Sequence, residues 1–251
     1  MSSVENEWLN RTEILIGKDC LEKLQNAKVT VIGLGGVGSY TCESLARAGI
    51  FHFQIIDFDA ISITNINRQI VALNSTLRMF KTIVMKQRIL DINPKASVET
   101  ITEFISEENR NKVLKNSDYI VDAIDSLGPK MGLLKDLCGM DIPFISVLGA
   151  GNRLNPELIK ITSIWKTENC PMAKRLRKLL RRYGVTKSFP VVFSVEKPIK
   201  PIQDDIEIPE QQVMVFDHES IPKTPVGSIS YLPAIMGMFA ASKVIRDLIG
   251  K

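Results

Sequence analysis

Cysteine is scarce and scattered in this sequence: Cys20, Cys42, Cys138 and Cys170 are the 4 in 251 residues, and no two form a C-x-x-C pair. That spacing argues against both a zinc site and a disulfide framework, and it suits a reducing cytosol. No apolar run reaches the roughly 20 residues that a membrane span needs. Residues 229–241 come closest and read as a buried helix. The N-terminus lacks the basic and apolar pattern of a signal peptide, so a cytoplasmic protein with no membrane partner is expected. A strong overall charge is missing as well. The net charge of +4 does not by itself indicate nucleic acid, so the placement of charge must decide. What is present is material for a core: 45% hydrophobic residues and a mean hydropathy of +0.06 in 28.1 kDa. This is enough for one large α/β domain, or one domain with a lobe.

The chain is organised around Val29 to Gln69, which holds a strand, a glycine turn, a helix, a second strand and a polar run. The β-branched run Val29 to Ile32 leads into Gly33, Gly35 and Gly38 at G-x-G-x-x-G spacing, with Gly36 among them. The first glycine permits a tight turn, the second lets backbone approach a phosphate, and the third lets helix and strand pack closely. Val37, Ser44, Leu45 and Ala48 predict a helix from about Gly36 to Ala48. Its N-terminus would offer N–H groups and a positive dipole end to an anion. The second strand, Phe53 to Ile56, ends in Asp57, where a carboxylate can accept hydrogen bonds from ribose hydroxyls. The glycines alone suggest NAD or FAD as readily as ATP. Ser39 and Tyr40 stand where a Walker G-K-[ST] would be, so the charge of a triphosphate must be met elsewhere. Asn65, Asn67, Arg68 and Gln69 follow the second strand, and Arg68 and Lys81 are the nearest cations. Asp59 joins the same candidate set.

The rest of the chain supplies a frame. Residues 1–9 read as a polar, mobile lead-in, and Thr12 to Leu24 as an amphipathic helix or helix pair broken near Gly17. Ile14, Leu15, Leu21 and Leu24 are its apolar positions, and Arg11 sits at its start. Met79 to Ile92 predicts a helix with Ile83, Val84, Ile89 and Leu90 on one face, stopped by Asn93-Pro94. Strands are expected at Ser97 to Thr102, Asp118 to Ala123 and Pro143 to Leu148, alternating with helices at Glu107 to Leu114 and Leu127 to Cys138. This alternation predicts an α/β fold with a Rossmann-like, doubly wound, mostly parallel sheet. Asp125 lies just past the fourth strand, in the crevice where such sheets bind ligands; it is a magnesium-ligand candidate, and capping of the next helix is its plainer role.

Beyond Gly149-Ala150-Gly151 come strands at Leu158 to Trp165 and Phe189 to Val195, a helix at Pro171 to Tyr183, a proline-rich and acid-rich loop at 196–226, and a helix at Tyr231 to Ile249. Ile235, Phe239, Val244 and Leu248 are the expected inward face of that last helix. Acidic residues are absent from Cys170 to Val195, while Lys174, Arg175, Arg177, Lys178, Arg181 and Arg182 crowd one helix. Cations without balancing carboxylates repel one another, so a polyanion partner is a fair expectation.

Taken together, these residues resemble the ubiquitin-activating superfamily of ATP-dependent adenylating enzymes (ThiF-MoeB-HesA), and within it the tRNA threonylcarbamoyladenosine dehydratase branch. The resemblance is carried by Arg11-Thr12-Glu13, Thr64 to Gln69, Lys81, Asp122 to Ser126, Gly149 to Asn152 and Cys170 to Ala173. It implies ATP and Mg2+ as cofactors, with Gly36 and its neighbours on the phosphates, Asp57 on the ribose, and Asn65, Arg68 and Lys81 on the triphosphate. It also implies Asp125 on magnesium and Arg11 reaching a partner's ATP in a homodimer. The implied partner is tRNA bearing threonylcarbamoyladenosine, met by the basic helix, and a sulfur-transfer protein is a candidate assistant. A single adenylating domain follows, with residues 26–150 as nucleotide-binding core and 151–251 as substrate-binding and dimerisation extension. Two positions depart from the pattern. Arg78-Met79-Phe80 replaces a small or flexible lead-in to Lys81, and Val191 stands where some members have cysteine. Competing readings are an activating enzyme for a ubiquitin-like or sulfur-carrier protein, an NAD-dependent oxidoreductase, and a nucleotide-binding module without catalysis.

Overall fold

The computed structural model describes residues 4–200, 202, 214–216, 219–221 and 226–251. Helices α1 (Asn10–Ile16) and α2 (Lys18–Asn26) meet at Gly17, whose φ of +87° is open to glycine at little cost. They lead into β1 (Lys28–Ile32), the strand on which the sheet is built. Alternate residues of β1 enter opposite layers: Val29 and Val31 join one buried cluster and Ile32 the other.

Helix α3 (Gly38–Ala48) and strand β2 (His52–Ile56) follow, then α4 (Lys81–Ile92) and β3 (Ser97–Ile101). Next come α5 (Glu107–Leu114), β4 (Tyr119–Asp122), α6 (Leu127–Gly139) and β5 (Phe144–Val147). The chain continues through β6 (Ile159–Ser163), α7 (Pro171–Arg182), β7 (Pro190–Ser194), β8 (Met214–Phe216), β9 (Glu219–Ile221) and α8 (Tyr231–Ile249). The main sheet has the order β3-β2-β1-β4-β5-β7-β6, parallel except for the edge pair β6 and β7. Side chains of α3, α4 and α8 fill one face, and those of α5, α6 and α7 the other. Chain order reverses between β1 and β4, and in such sheets the crevice at that reversal is where ligands bind. The α/β, doubly wound, mostly parallel architecture is the one expected.

Several local readings change. Leu9 is 1% exposed and packs on Gly49, so the lead-in is anchored at its end by a 3-10 helix, Val4–Leu9. Ile14 and Leu15 do not share the buried face of Leu21 and Leu24; they are 82% and 80% exposed, because the break at Gly17 turns α1 away from the core that α2 meets. Ile83 is exposed, and Met85 takes its place inside. In α8 the fully buried line is Leu232, Met236, Ala240 and Val244, while Ile235, Phe239 and Leu248 are half-buried. The shift follows from Gly237: a Cβ there would lie 2.4 Å from Val37 O, so its bare backbone is what faces α3. The expected loop at 196–226 contains the antiparallel pair β8 and β9. Residues 201, 203–213, 217–218 and 222–225 of that loop lie outside the described residues.

Candidate active site

At the end of β1 the chain turns at Gly33, with φ of +90°. A Cβ at Gly33 would meet Ala123 O at 2.8 Å, and one at Gly38 would fall 1.8 Å from Gly33 O. Glycine at these positions lets α3 start directly against both the turn and the loop after β4. No side chain caps α3, and Ser39 turns its hydroxyl back to Gly35 O at 2.7 Å. Ser39 N donates to Gly35 O at 3.2 Å, so what the positive end of the helix offers an anion is the N–H groups of the turn up to Gly38.

Asp57 follows β2 and is 8% exposed. Its Oδ2 accepts from Leu34 N at 2.6 Å and its Oδ1 from Asp59 N at 2.8 Å. Burial pushes its carboxyl up from the usual aspartate value, against the pull of Lys81 and these N–H donors. Lys81 is buried rather than open to solvent: its Nζ lies 2.6 Å from Asp59 Oδ2 and 3.6 Å from Asp57 Oδ1. The unusual lead-in explains how it gets there. Arg78 N donates to Ile61 O, Ile61 N to Met79 O and Lys81 N to Asp59 O, so 78–81 runs antiparallel to 59–61. Arg78 adopts φ of +68° to make the turn, a conformation that disfavours side chains with a Cβ.

The polar run wraps over the glycine turn. Arg68 O and Cγ lie 3.1 and 3.3 Å from a Cβ built on Gly36, and Gln69 Nε2 lies 3.8 Å from one built on Gly35. Arg68 Nη1 donates to Thr64 O and Asn67 Oδ1, both at 2.9 Å, leaving Nε and Nη2 without a protein partner among the described residues. Asn65 serves the fold, since its Oδ1 accepts from Ser62 N and closes a 3-10 turn. Gln69 is 7% exposed and its Oε1 has no partner among the described residues.

The loop after β4 completes this edge. Asp125 is exposed, and among the described residues its carboxylate accepts only from Ser126 Oγ, at 3.2 Å. It does not cap α6, whose N-cap position is Ser126 and whose first turn has no side-chain cap. Among the described residues no group of three metal-ligating side chains occurs. Magnesium needs none, since it takes one or two carboxylates together with substrate phosphates and water, so a carboxylate with an unpartnered oxygen fits it.

Other contributors carry no periodic signal in the sequence. Asn152, at φ of +58°, holds Gly227 from both sides: Asn152 N donates to Gly227 O at 2.8 Å and Gly227 N to Asn152 Oδ1 at 2.7 Å. Asn67 Nδ2 donates to Ser228 O at 3.2 Å, and Pro233 packs on Gly36. The segment leading into α8 thus joins the first glycine turn to the second. Buried Arg153 braces that second turn, donating to Gly149 O and Gly151 O and, at 3.1 Å, to Glu196 O.

The basic helix stands at the rim. Met172 touches Gly149, and Cys170 accepts from Ala173 N at 3.5 Å as an N-cap. Lys174, Arg175, Lys178, Arg181 and Arg182 are exposed. Arg177 is not part of that surface, because its guanidinium bonds Thr167 O at 3.0 Å and Thr167 Oγ1. Arg181 lies 5.2 Å from the Trp165 ring, and Lys135 of α6 lies 5.5 Å from the Tyr183 ring. The structure therefore gathers Gly33 to Gly38, Asp57, Asp59, Arg68, Gln69, Lys81 and Asp125 at one sheet edge. Arg11 is exposed and, among the described residues, makes no hydrogen bond to that edge.

Comparison with known proteins supplies a family. The ThiF family model matches residues 9–251. A Bacillus subtilis tRNA threonylcarbamoyladenosine dehydratase is 38% identical over 243 residues, 96% of this chain and 94% of that protein. The crystal structure of E. coli tRNA N6-threonylcarbamoyladenosine dehydratase, TcdA, in complex with ATP superposes with a TM-score of 0.87 at 30% identity, covering 99% of this chain and 96% of that one. The complex of the same enzyme with AMP gives 0.86 at 31%, covering 100% and 98%. With its glycine turn, polar run and aspartate loop in the places the fold requires, this chain belongs to the ThiF family.

Proposed function

We propose that this chain dehydrates threonylcarbamoyladenosine in tRNA at the expense of ATP, through an acyl-adenylate. The observation that carries the reading is the meeting of the uncapped α3 N-terminus, Asp57, the half-held Arg68 and Asp125 at the β1 and β4 crossover. The N–H groups of the glycine turn up to Gly38 would take phosphate oxygens, and Asp57 keeps a lone pair on each oxygen for ribose hydroxyls. Nε and Nη2 of Arg68 would bind the phosphate chain in fork geometry. Lys81 adds positive charge below the site, shared with Asp59, and Asn65 acts by shaping the loop. Magnesium held by Asp125 would offset charge on the reacting and departing phosphates.

In the first step a carboxylate oxygen of the modification attacks the α-phosphorus, and the bond to pyrophosphate breaks. In the second, a nucleophile within the modification attacks the new acyl carbon, the ring closes and AMP leaves. The protein's work is electrostatic, with fixed cations and dipoles aimed at developing charge. No enzyme thiol is required. Cys42 and Cys170 are buried, burial pushes the Cys42 thiol well above its usual value, and Val191 lies in the core of β7.

The exposed cations of α7 would contact tRNA phosphates, so binding should weaken steeply with salt. Exposed Ile14 and Leu15 flank Arg11 on α1, which supports a homodimer in which that arm meets the partner. Residues 151–251 would then supply both the tRNA surface and dimer contacts to the nucleotide-binding core of 26–150. A sulfur-transfer protein is a further candidate partner. No described helix is long and apolar enough to cross a membrane, and a cytoplasmic enzyme fits the unpaired cysteines.

The test is AMP formation from ATP and magnesium, with and without tRNA bearing threonylcarbamoyladenosine, followed by mass spectrometry of the nucleosides. AMP release with loss of one water from the modified base is expected. Stimulation by a small protein ending in glycine, and not by tRNA, would replace this reading with carrier-protein activation.

A further inference from the structure

The structure assigns to Lys130, Asp122 and Ser146 the role of orienting the Asp125 carboxylate. All three are 0% exposed, and residue type and spacing alone mark none of them for such a role. Asp122 is the last residue of β4 and pairs in register with Ser146 of β5. Its Oδ2 accepts from Ser146 Oγ at 2.6 Å and faces Lys130 Nζ at 2.7 Å. Its Oδ1 accepts from Ile124 N at 3.1 Å, while Lys130 Nζ donates to Ile124 O at 2.8 Å. Both backbone polar groups of Ile124, the residue immediately before Asp125, are thereby held by one buried ion pair. Ala123 N is fixed as well, donating to Ile32 O at 2.8 Å. The peptide leading into Asp125 thus has little freedom left.

Charge placement points the same way. Taking an ammonium and a carboxylate out of water is costly, and apolar side chains of similar volume can often replace such a pair without loss of stability. A neutral pair of side chains could also have satisfied Ile124. What the ion pair adds is that Lys130 cancels Asp122 and leaves Asp125 uncompensated: no cation bonds Asp125 among the described residues. Asp125 is thus left without a competing cation, on a backbone held at the preceding residue through both Ile124 N and Ile124 O. Outer-shell groups that fix a ligand in this way commonly change metal affinity about 10–100-fold when removed. Lys130, Asp122 and Ser146 are positioning residues in this sense, because none of them reaches solvent or substrate.

The inference rests on the proposal that Asp125 holds magnesium on ATP, and the experiment separates the two. ATP binding is measured by calorimetry with and without MgCl2 on wild type, Asp125→Ala, the charge-neutral double variant Lys130→Met/Asp122→Asn, and Ser146→Ala. Circular dichroism and melting temperature are recorded for each. The expected result is that magnesium tightens ATP binding in wild type and that Asp125→Ala loses this gain. The double variant should lose about tenfold or more of it, with metal-free ATP affinity unchanged. Ser146→Ala, which strands no charge, should lose a smaller part and so keeps the inference testable if the double variant does not fold. A full magnesium gain in both network variants, with Asp125→Ala defective, overturns the positioning role and leaves Asp125 in place. Equal loss of affinity with and without magnesium, alongside a lowered melting temperature, makes the set merely structural and also overturns it. Should Asp125→Ala itself bind ATP and magnesium like wild type, the Asp125 proposal fails first.

Discussion

Among the described residues Arg68 is tied at one nitrogen, its Nη1 to Thr64 O and Asn67 Oδ1, while its backbone O and Cγ pack against Gly36. A guanidinium held in this way is preorganised for phosphate without being consumed by the fold. Arg68→Ala should therefore cut AMP formation by about 100-fold or more, the cost of losing one fixed charge donor, with an unchanged circular dichroism spectrum. Near-normal turnover would remove Arg68 from the site. Arg78 presents the opposite case. Its φ of +68° is a backbone cost borne to deliver Lys81, so Arg78→Gly should raise stability, or leave it unchanged, by up to about 1 kcal/mol and spare activity. Denaturant melts of the two proteins decide it. Sequence spacing had already brought Asp57, Arg68 and Lys81 together in principle. It could not show that Lys81 would be buried between Asp57 and Asp59, because that depends on an antiparallel turn of 59–61 against 78–81 rather than on local pattern.

Helix α7 looks uniform in sequence, yet the structure divides its cations. Arg177 is a brace to Thr167, whereas Lys174, Arg175 and Lys178 face solvent. Arg175→Ala and Lys178→Ala should each weaken tRNA binding and lower the salt slope by about 1, with the melting temperature unchanged. Arg177→Ala should instead lower the melting temperature and leave the salt slope alone; filter binding across a salt series separates the two. Helices α3 and α4 are joined by another element-scale device. Glu43, 8% exposed, accepts from Arg47 Nε at 2.7 Å and from Arg88 Nε at 2.6 Å. Burial pushes its carboxyl up, but hydrogen bonds first from Arg88 and then from Arg47 outweigh this and hold it below the usual glutamate value. A depressed carboxylate stabilises the fold above its unfolded value, about 4.5, and that contribution is lost as pH falls through the folded value. Glu43→Gln should cost about 1 kcal/mol, roughly 2–4 °C, at pH 7, since both arginines are partly exposed. The difference from wild type should shrink as melts are taken to lower pH.

At the scale of the molecule, Arg11 is exposed on α1, apart from the glycine turn of its own chain and open to a second copy. If it completes the partner's site, Arg11→Ala and Arg68→Ala should each be inactive alone. Co-expressed, they should recover about a quarter of wild-type AMP release, because half of randomly paired dimers are mixed and each holds one complete site. No recovery would confine Arg11 to its own protomer. The sequence by itself determined the alternation of strands and helices from β1 to β5, the glycine turn and the identity of the polar run. Each of these rests on local steric and hydrophobic rules that neighbouring residues express directly. Tertiary structure decided which of those residues are open and which are paired. The braces at Asn152 and Arg153, the Gly237 approach to α3 and the ion pair of Lys130 with Asp122 join residues that lie on different elements. A buried polar group must find its partner wherever the packed layers place one, and no spacing along the chain encodes that choice.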